Sequence, residues 1–192
     1  MATKIFIILF SLTIISIKLA STNSVKEQIG LNDPQKCVTI NGNILYYKHP
    51  YTTKETCINK TPTTPDKITN HLNIAYQGQL MYHNRSCPDK AACGFSCGIP
   101  YHAAVGAAVW VTPGKYKPSC LPDKHFMRDE AACINKCVKV ERGNKKIIVP
   151  ITDVTIEMKV NEVDLSYYAF FDKMGCSMKE SCKATITYVE CP

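Results

Sequence analysis

The chain has 192 residues, enough for one domain of ordinary size plus a small appendage. It carries a formal charge of +7. Its basic residues are spread thinly, so the stripe or cluster of positive charge that nucleic-acid binding needs is missing. Eleven cysteines, all after residue 36, fit an oxidising compartment in which thiols become disulfides.

Chain order begins with an address. Lys4 supplies a positive charge, residues 5–17 (IFIILFSLTIISI) are almost entirely apolar, and the small residues Ala20 and Ser21 follow. That order is the order of a secretory signal peptide, here assigned to residues 1–21. The apolar run is shorter than the roughly 20 residues a free-standing membrane helix requires, which disfavours an uncleaved anchor. Lys18 leaves the cut open between Ala20 and Ser24. No later stretch is apolar enough to span a membrane, and removing Lys4 and Lys18 lowers the charge from +7 to +5. A secreted, extracellular protein is expected.

The cysteines stand at 37, 57, 87, 93, 97, 120, 133, 137, 176, 182 and 191, an odd number, so at least one is free, modified or paired with another chain. The spacings Cys93/Cys97 and Cys133/Cys137 resemble zinc pairs. Outside the cell the same thiols oxidise, so no metal is expected, and no cofactor. Two sequons, at Asn59 and Asn84, are open to glycosylation.

Residues 22–58 read as an N-terminal hairpin extension. Asn41-Gly42 is a preferred pair for a tight type I′ turn, and β-rich arms flank it. An isolated hairpin is marginal in water, so it must be stapled or packed on the main domain. Residues 60–66 (KTPTTPD) cannot build a regular element and mark a Thr/Pro-rich linker, taken as 59–75.

The main domain, 76–192, reads as strands with one helix. Residues 79–83 are a short β-like run. Residues 138–141 alternate, and Arg142-Gly143-Asn144 turns the chain into a second run over 145–152. Pro150 lacks a ladder donor, which implies an edge or a bulge. Val154, Ile156, Met158 and Val160 share one face at a period of two. Asp164 is expected to cap a helix over 165–174 that is buried on most sides, with Gly175 ending it. Residues 183–190 form a closing strand tied down by Cys182 and Cys191. Trp110, the one tryptophan, is expected in the core.

This order resembles the double-psi β-barrel of the barwin, expansin and rare lipoprotein A group. Four stretches carry the resemblance. They are Tyr82 followed by Ala91-Ala92-Cys93-Gly94-Phe95; Asn135-Lys136-Cys137-Val138-Lys139-Val140; Val149-Pro150-Ile151-Thr152-Asp153; and Val163-Asp164-Leu165-Ser166, with 184–191 as the closing strand. The resemblance implies an all-β fold with one buried helix: a disulfide-stapled, six-stranded double-psi β-barrel with a small hairpin extension.

It also implies a ligand groove lined by Tyr82, His83, Asp153 and Asp164. Endoglucanases on this fold use two carboxylates, an acid and a base, as inverting hydrolysis demands. Asp164 matches the acid of their His-Phe-Asp-Leu motif, with Glu162 and Val163 replacing the His and Phe. No carboxylate stands at the base position, where Tyr82-His83-Asn84 precedes Asp89. Rare lipoprotein A-type transglycosylases carry Asp-Arg-Gly-Pro where this chain keeps only Asp153. Expansins keep the acid and lack the base, and this groove looks most like theirs. Their second, sandwich domain is not expected within residues 1–192.

Plainer readings stand beside these. Asp164 can be a helix cap and nothing more, Asp153 can simply be solvated, and Tyr82, Tyr101 and Tyr116 can be ordinary strand residues. His83 and His102 have no identified carboxylate partner. The expectation is a non-catalytic protein that binds cell-wall or surface polysaccharide through the groove. Two alternatives stay open. One is a glycan-cleaving enzyme with Asp164 as acid and Asp153 or Asp89 as base; the other is a secreted protein-binding effector or inhibitor. Neither a nucleic-acid partner nor a membrane span beyond the leader is expected.

Overall fold

The computed structural model describes residues 37–40, 43–48, 67–82, 91–93, 99–110, 116–118, 126–128 and 131–192. All of them belong to one compact unit, Pro34–Pro192. The leader, both sequons, Asn41-Gly42, the 60–66 segment, His83 and Asp89 lie outside the described residues.

The strands in chain order are β1 (Cys37–Ile40), β2 (Ile44–Tyr47), β3 (Ala75–Tyr82), β4 (Ala103–Gly106), β5 (Tyr116–Pro118), β6 (Phe126–Arg128), β7 (Lys136–Arg142), β8 (Lys145–Thr155), β9 (Glu162–Leu165) and β10 (Cys182–Glu190). Six of them close into a barrel in the order β8-β4-β9-β3-β10-β7 and back to β8. β3 runs parallel to β9 and β4 parallel to β8, and the other contacts of the ring are antiparallel. This is the β-rich, six-stranded barrel expected from the order of the segments.

β8 organises the rest, because it has different neighbours along its length. Its first half pairs with β7, and Leu45 and Tyr46 of β2 run parallel to Ile147 and Ile148. Its second half pairs with β4. One face of β8 therefore meets the barrel core, through Ile147, Val149 and Ile151. The other face is covered by the hairpin, where Ile40, Ile44 and Tyr46 pack with Ile148, Cys137 and Val189. Burial on both faces accounts for the nearly continuous apolar run over 147–151. Pro150 sits where the β7 ladder ends and the β4 ladder begins, so its missing N–H interrupts neither. The bulge lies two residues on: Ala103 faces Ile151 and Ala104 faces Asp153, leaving Thr152 as the extra residue.

Several local expectations change. Ile40 pairs with Ile44, so the hairpin connection is three residues long, not two. The period of two over 154–160 does not continue as strand. β8 stops at Thr155, and the chain turns where Met158 N–H donates to the Thr155 carbonyl. Asp164 is not a helix cap. It lies inside β9, whose ladder to β3 and β4 holds it extended. The helix starts four residues later, as a wide-turn (π) helix over Tyr168–Lys173, and only one side of it is buried, through Ala169 and Phe170. The rings of this run also pack sideways on one another, Phe171 against both Tyr167 and Phe170. Gly175, at φ +63°, ends the helix as expected.

Three disulfides join described residues: Cys93–Cys133, Cys137–Cys191 and Cys176–Cys182. The closely spaced Cys133 and Cys137 thus take different partners, as oxidised thiols rather than a metal pair. Trp110 is fully buried in the core, with its indole N–H unpartnered among the described residues.

Candidate functional site

The register around the barrel places Asp153 of β8, Ala104 of β4 and Asp164 of β9 side by side on three adjacent strands. Their neighbours Val105, Val163 and Leu165 are fully buried in the core. Strand alternation therefore turns the two aspartates to the outer face. Adjacent strands lie about 4.8 Å apart, so the two aspartate backbones stand roughly 10 Å apart, with only the Ala104 methyl between them. The result is a groove of about 260 Å³ lined by Ala104, Asp153, Val154, Thr155, Ile156, Glu157 and Asp164. Among the described residues its lining holds three carboxylates and no basic or aromatic side chain.

The two aspartates differ in their attachments. Asp153 Oδ1 accepts from the backbone N–H groups of Ala92 and Val154, both at 2.9 Å. The bulged Thr152 carbonyl accepts from Cys93 N–H at 2.9 Å. Asp153 is thus not merely solvated: with the bulge it clamps the 91–93 segment, which the Cys93–Cys133 disulfide ties to the barrel. A proton-transfer role for Asp153 would fall to Oδ2 alone. Asp164 is half-buried, with Oδ1 shielded from solvent.

Tyr82 is not among the groove-lining residues. Met81 stands opposite Asp164 and Tyr82 opposite Leu165, so the Tyr82 ring projects from the other face of its strand. It meets Phe171 at 4.8 Å between ring centroids, Phe170 at 5.8 Å and Tyr167 at 5.9 Å. The contacts continue from Tyr167 to Tyr168 at 5.5 Å, from Tyr168 to Tyr101 at 6.2 Å, and from Tyr101 to Tyr47 of β2, stacked at 3.9 Å. Lys173 lies 5.3 Å from the Tyr101 ring centroid and 5.7 Å from that of Tyr47. Tyr167 is 52% exposed and Tyr168 44% exposed.

Ser166 sets where this aromatic face stands. Its hydroxyl donates to the Pro100 carbonyl and accepts from His102 N–H, while its own N–H donates to the His102 carbonyl. That clasp fixes the start of the helix against 100–102 and brings Tyr168 to Tyr101. His102 itself is buried, its Nδ1–H donating to the Ile99 carbonyl at 2.6 Å, a structural use of the ring.

Of the groove residues expected from sequence, the structure brings Asp153 and Asp164 together, sends Tyr82 to the aromatic face, and leaves His83 outside the described residues. Sequence reasoning missed Ala104, Ile156 and Glu157 in the groove, and Tyr47, Tyr167, Tyr168 and Phe171 on the aromatic face. The one signal for the latter was the Tyr-Tyr-Ala-Phe-Phe run at 167–171. Among the described residues no group of three or more His, Cys, Asp or Glu side chains is placed to hold a metal ion. No described helix is long and apolar enough to cross a membrane.

No protein-family model matches this chain, and no curated protein does. Among solved structures, Streptomyces papain inhibitor (SPI) aligns at 22% identity and a TM-score of 0.47, over 62% of this chain and 96% of that one.

Proposed function

We propose that this chain is a secreted, non-catalytic barrel that binds another protein. The observation that carries the reading is the aromatic face, on which Tyr167 and Tyr168 stand about half exposed on a one-sided helix. Exposed clusters of tyrosine and phenylalanine are typical of protein contact surfaces, where such rings anchor the interface. The disulfides fit an oxidising compartment and a rigid scaffold.

The polysaccharide reading has one observation in its favour, since tyrosine rings can also stack on sugars. A sugar platform needs flat ring faces turned outward together. Here the rings are tilted: exposed Tyr167 lies at 79° to exposed Tyr168 and at 75° to half-buried Tyr82, and half-buried Tyr101 lies at 57° to Tyr168. Such a surface offers edges and clefts to side chains rather than a shelf to a glycan. Among the described residues the groove holds no ring to add a stacking surface.

The test compares the wild-type protein with a Tyr167→Ser/Tyr168→Ser variant. Each is offered insoluble cellulose, chitin and peptidoglycan, and a fraction of secreted proteins. Retention of a defined protein that falls at least about tenfold in the variant is the expected result. Sedimentation with a glycan, lost in the variant, would establish the polysaccharide reading instead. Release of soluble sugar that disappears with Asp164→Asn would make the chain an enzyme.

A further inference from the structure

The helix of the aromatic face runs straight into a small disulfide loop. Cys176 and Cys182 are joined, and residues 177–181 between them are all exposed. Both ends of the loop are fastened to the elements that carry the aromatic rings. Cys176 N–H donates to the Phe170 carbonyl and Gly175 N–H to that of Phe171, each at 3.1 Å. Cys182 pairs with Leu80 of β3, two residues from Tyr82 and so roughly 7 Å away along the strand. Both cysteines are buried, and the Arg142 guanidinium donates to the Met174 carbonyl just before the loop. Inside it, Lys179 N–H donates to the Ser177 hydroxyl at 3.1 Å, a local bond that bends the chain at Met178.

What the loop holds out is Met178, 71% exposed. Single exposed apolar residues are ordinary, but a methionine differs from the others in its chemistry. Its thioether gives up two electrons to a suitable oxidant, and access to the sulfur sets how readily. By contrast Met158 is 5% exposed, Met174 is fully buried and Met81 is half-buried. The six cysteines joined in described disulfides have no thiol left to offer. Among the described residues, Met178 is therefore the sulfur that an oxidant in solution meets first. So exposed a side chain supports little packing, and its oxidation needs no opening of the fold.

We propose that Met178 is an oxidation site, converted to the sulfoxide by hydrogen peroxide or another hydroperoxide while the protein stays folded, and that the change weakens capture of a protein partner. A sulfur lone pair attacks the terminal peroxide oxygen, and the O–O bond breaks. That oxygen stays on sulfur, while its proton passes to the leaving oxygen, which departs as water or an alcohol. Sulfur loses two electrons and the peroxide gains them. The product replaces an apolar tip by a hydrated acceptor. Because the loop grows from the helix and the strand of the aromatic face, it forms a rim of the surface that a partner covers. Desolvating a sulfoxide there costs more than desolvating a thioether, so affinity falls. The effect on capture rests on the protein-binding reading; the oxidation itself does not.

The experiment treats the full, disulfide-bonded protein with hydrogen peroxide, in buffer and in urea. Mass spectrometry of digests follows the sulfoxide at Met178, Met158 and Met174. In buffer Met178 is expected to oxidise at least about tenfold faster than the two buried methionines, and in urea the three rates should converge. The thermal midpoint should hold once Met178 alone is oxidised. Equal rates in buffer, or a midpoint that falls with Met178 oxidation, would overturn the site. The effect on capture is read after catalase has removed the peroxide, with the secreted protein that Tyr167→Ser/Tyr168→Ser fails to retain. The oxidised protein and Met178→Gln should each retain that protein at least about threefold less well than wild type. Peroxide-treated Met178→Leu, apolar and without sulfur, should retain it in full. Loss of capture by treated Met178→Leu, or full capture by the oxidised protein, would overturn the effect on binding while the protein-binding reading stands. If no secreted protein distinguishes the tyrosine variant from wild type, that reading fails and the effect on capture fails with it, whereas the oxidation rates still decide the site.

Discussion

The groove and the aromatic face are built by different forces. Backbone fixes the groove: three ladder strands, one bulge and a turn resting on two glycines put Asp153, Ala104 and Asp164 in a row. Side chains fix the aromatic face, through ring contacts that run from Tyr47 of the hairpin to Tyr82 of β3, with the Ser166 clasp as the main polar anchor. Exposed groove side chains such as Ile156 and Glu157 can therefore change with little effect on folding, Asp153 being the one that also clamps backbone, whereas the rings both pack and display. A substitution on the aromatic face tests binding cleanly only at the outermost rings, Tyr167 and Tyr168.

The sharpest way to break this comparison is to alter neighbours on β9 that point opposite ways. Leu165→Ala empties a fully buried site and should cost about 2–5 kcal/mol. Asp164→Asn, one residue away on the outer face, should cost under about 1 kcal/mol. Urea denaturation of both variants measures the difference, and equal losses would mean that the strand's two faces are not divided as described.

A smaller effect is expected at Asp153. Asp153→Ala strips the acceptor from two backbone N–H groups and should cost about 1–3 kcal/mol, with faster hydrogen exchange at Ala92 and Val154. Asp153→Asn keeps an oxygen in the same place and should recover most of that loss. If the asparagine variant exchanges as fast as the alanine variant, the negative charge rather than the acceptor geometry holds the 91–93 segment.

On the aromatic side, Lys173→Met keeps the aliphatic stem and removes the cation near Tyr47 and Tyr101. A loss of about 0.5–1 kcal/mol is expected in thermal unfolding. No loss would leave the Tyr47–Tyr101 stack and the β2–β8 pairing to hold the hairpin unaided.

The smallest effect lies away from both faces. Glu141 accepts from Lys139 at 2.8 Å and from Lys146 at 3.2 Å. The hydrogen bond from Lys139 holds its carboxyl below the ordinary value of 4.5; burial opposes the shift, and Lys146 adds to it. Because the folded value is the lower one, the pair's contribution is complete above about 4.5 and is lost as pH falls through the folded value. The pair is partly exposed, which limits the contribution to about 0.2–1 kcal/mol. Glu141→Gln should flatten the acid side of the stability curve, and an acid limb identical to wild type would show that the pair contributes nothing measurable.

Much of the fold was legible in the sequence because it depends on neighbours along the chain. β7 and the closing β10 follow from alternation and β8 from its apolar run, Gly175 stops the helix where a left-handed residue was needed, and Trp110 is in the core. The start of the helix was misplaced because Asp164 is a good cap by residue type, and type alone does not show that β3 and β4 claim the same residue as strand. Alternation over 154–160 misled for a similar reason. It fits a strand locally, but the chain must turn there to cross from β8 to β9.

The sequence by itself determined the β-rich character and a cysteine usage that suits disulfides, which join six cysteines among the described residues, while the family resemblance pointed to two of the groove's carboxylates, Asp153 and Asp164. The first two are matters of residue chemistry and short-range period. Only the tertiary structure decided that Ala104 lies between those carboxylates, that Ile156 and Glu157 form the lip, and that Tyr82 belongs to an exposed aromatic face with Tyr167 and Tyr168. Those outcomes depend on register between strands some 50 to 60 residues apart, on one extra residue at Thr152, and on which face closure of the barrel turns inward. A one-residue slip would exchange every inside residue for an outside one, and no local pattern records which register the closed barrel selects.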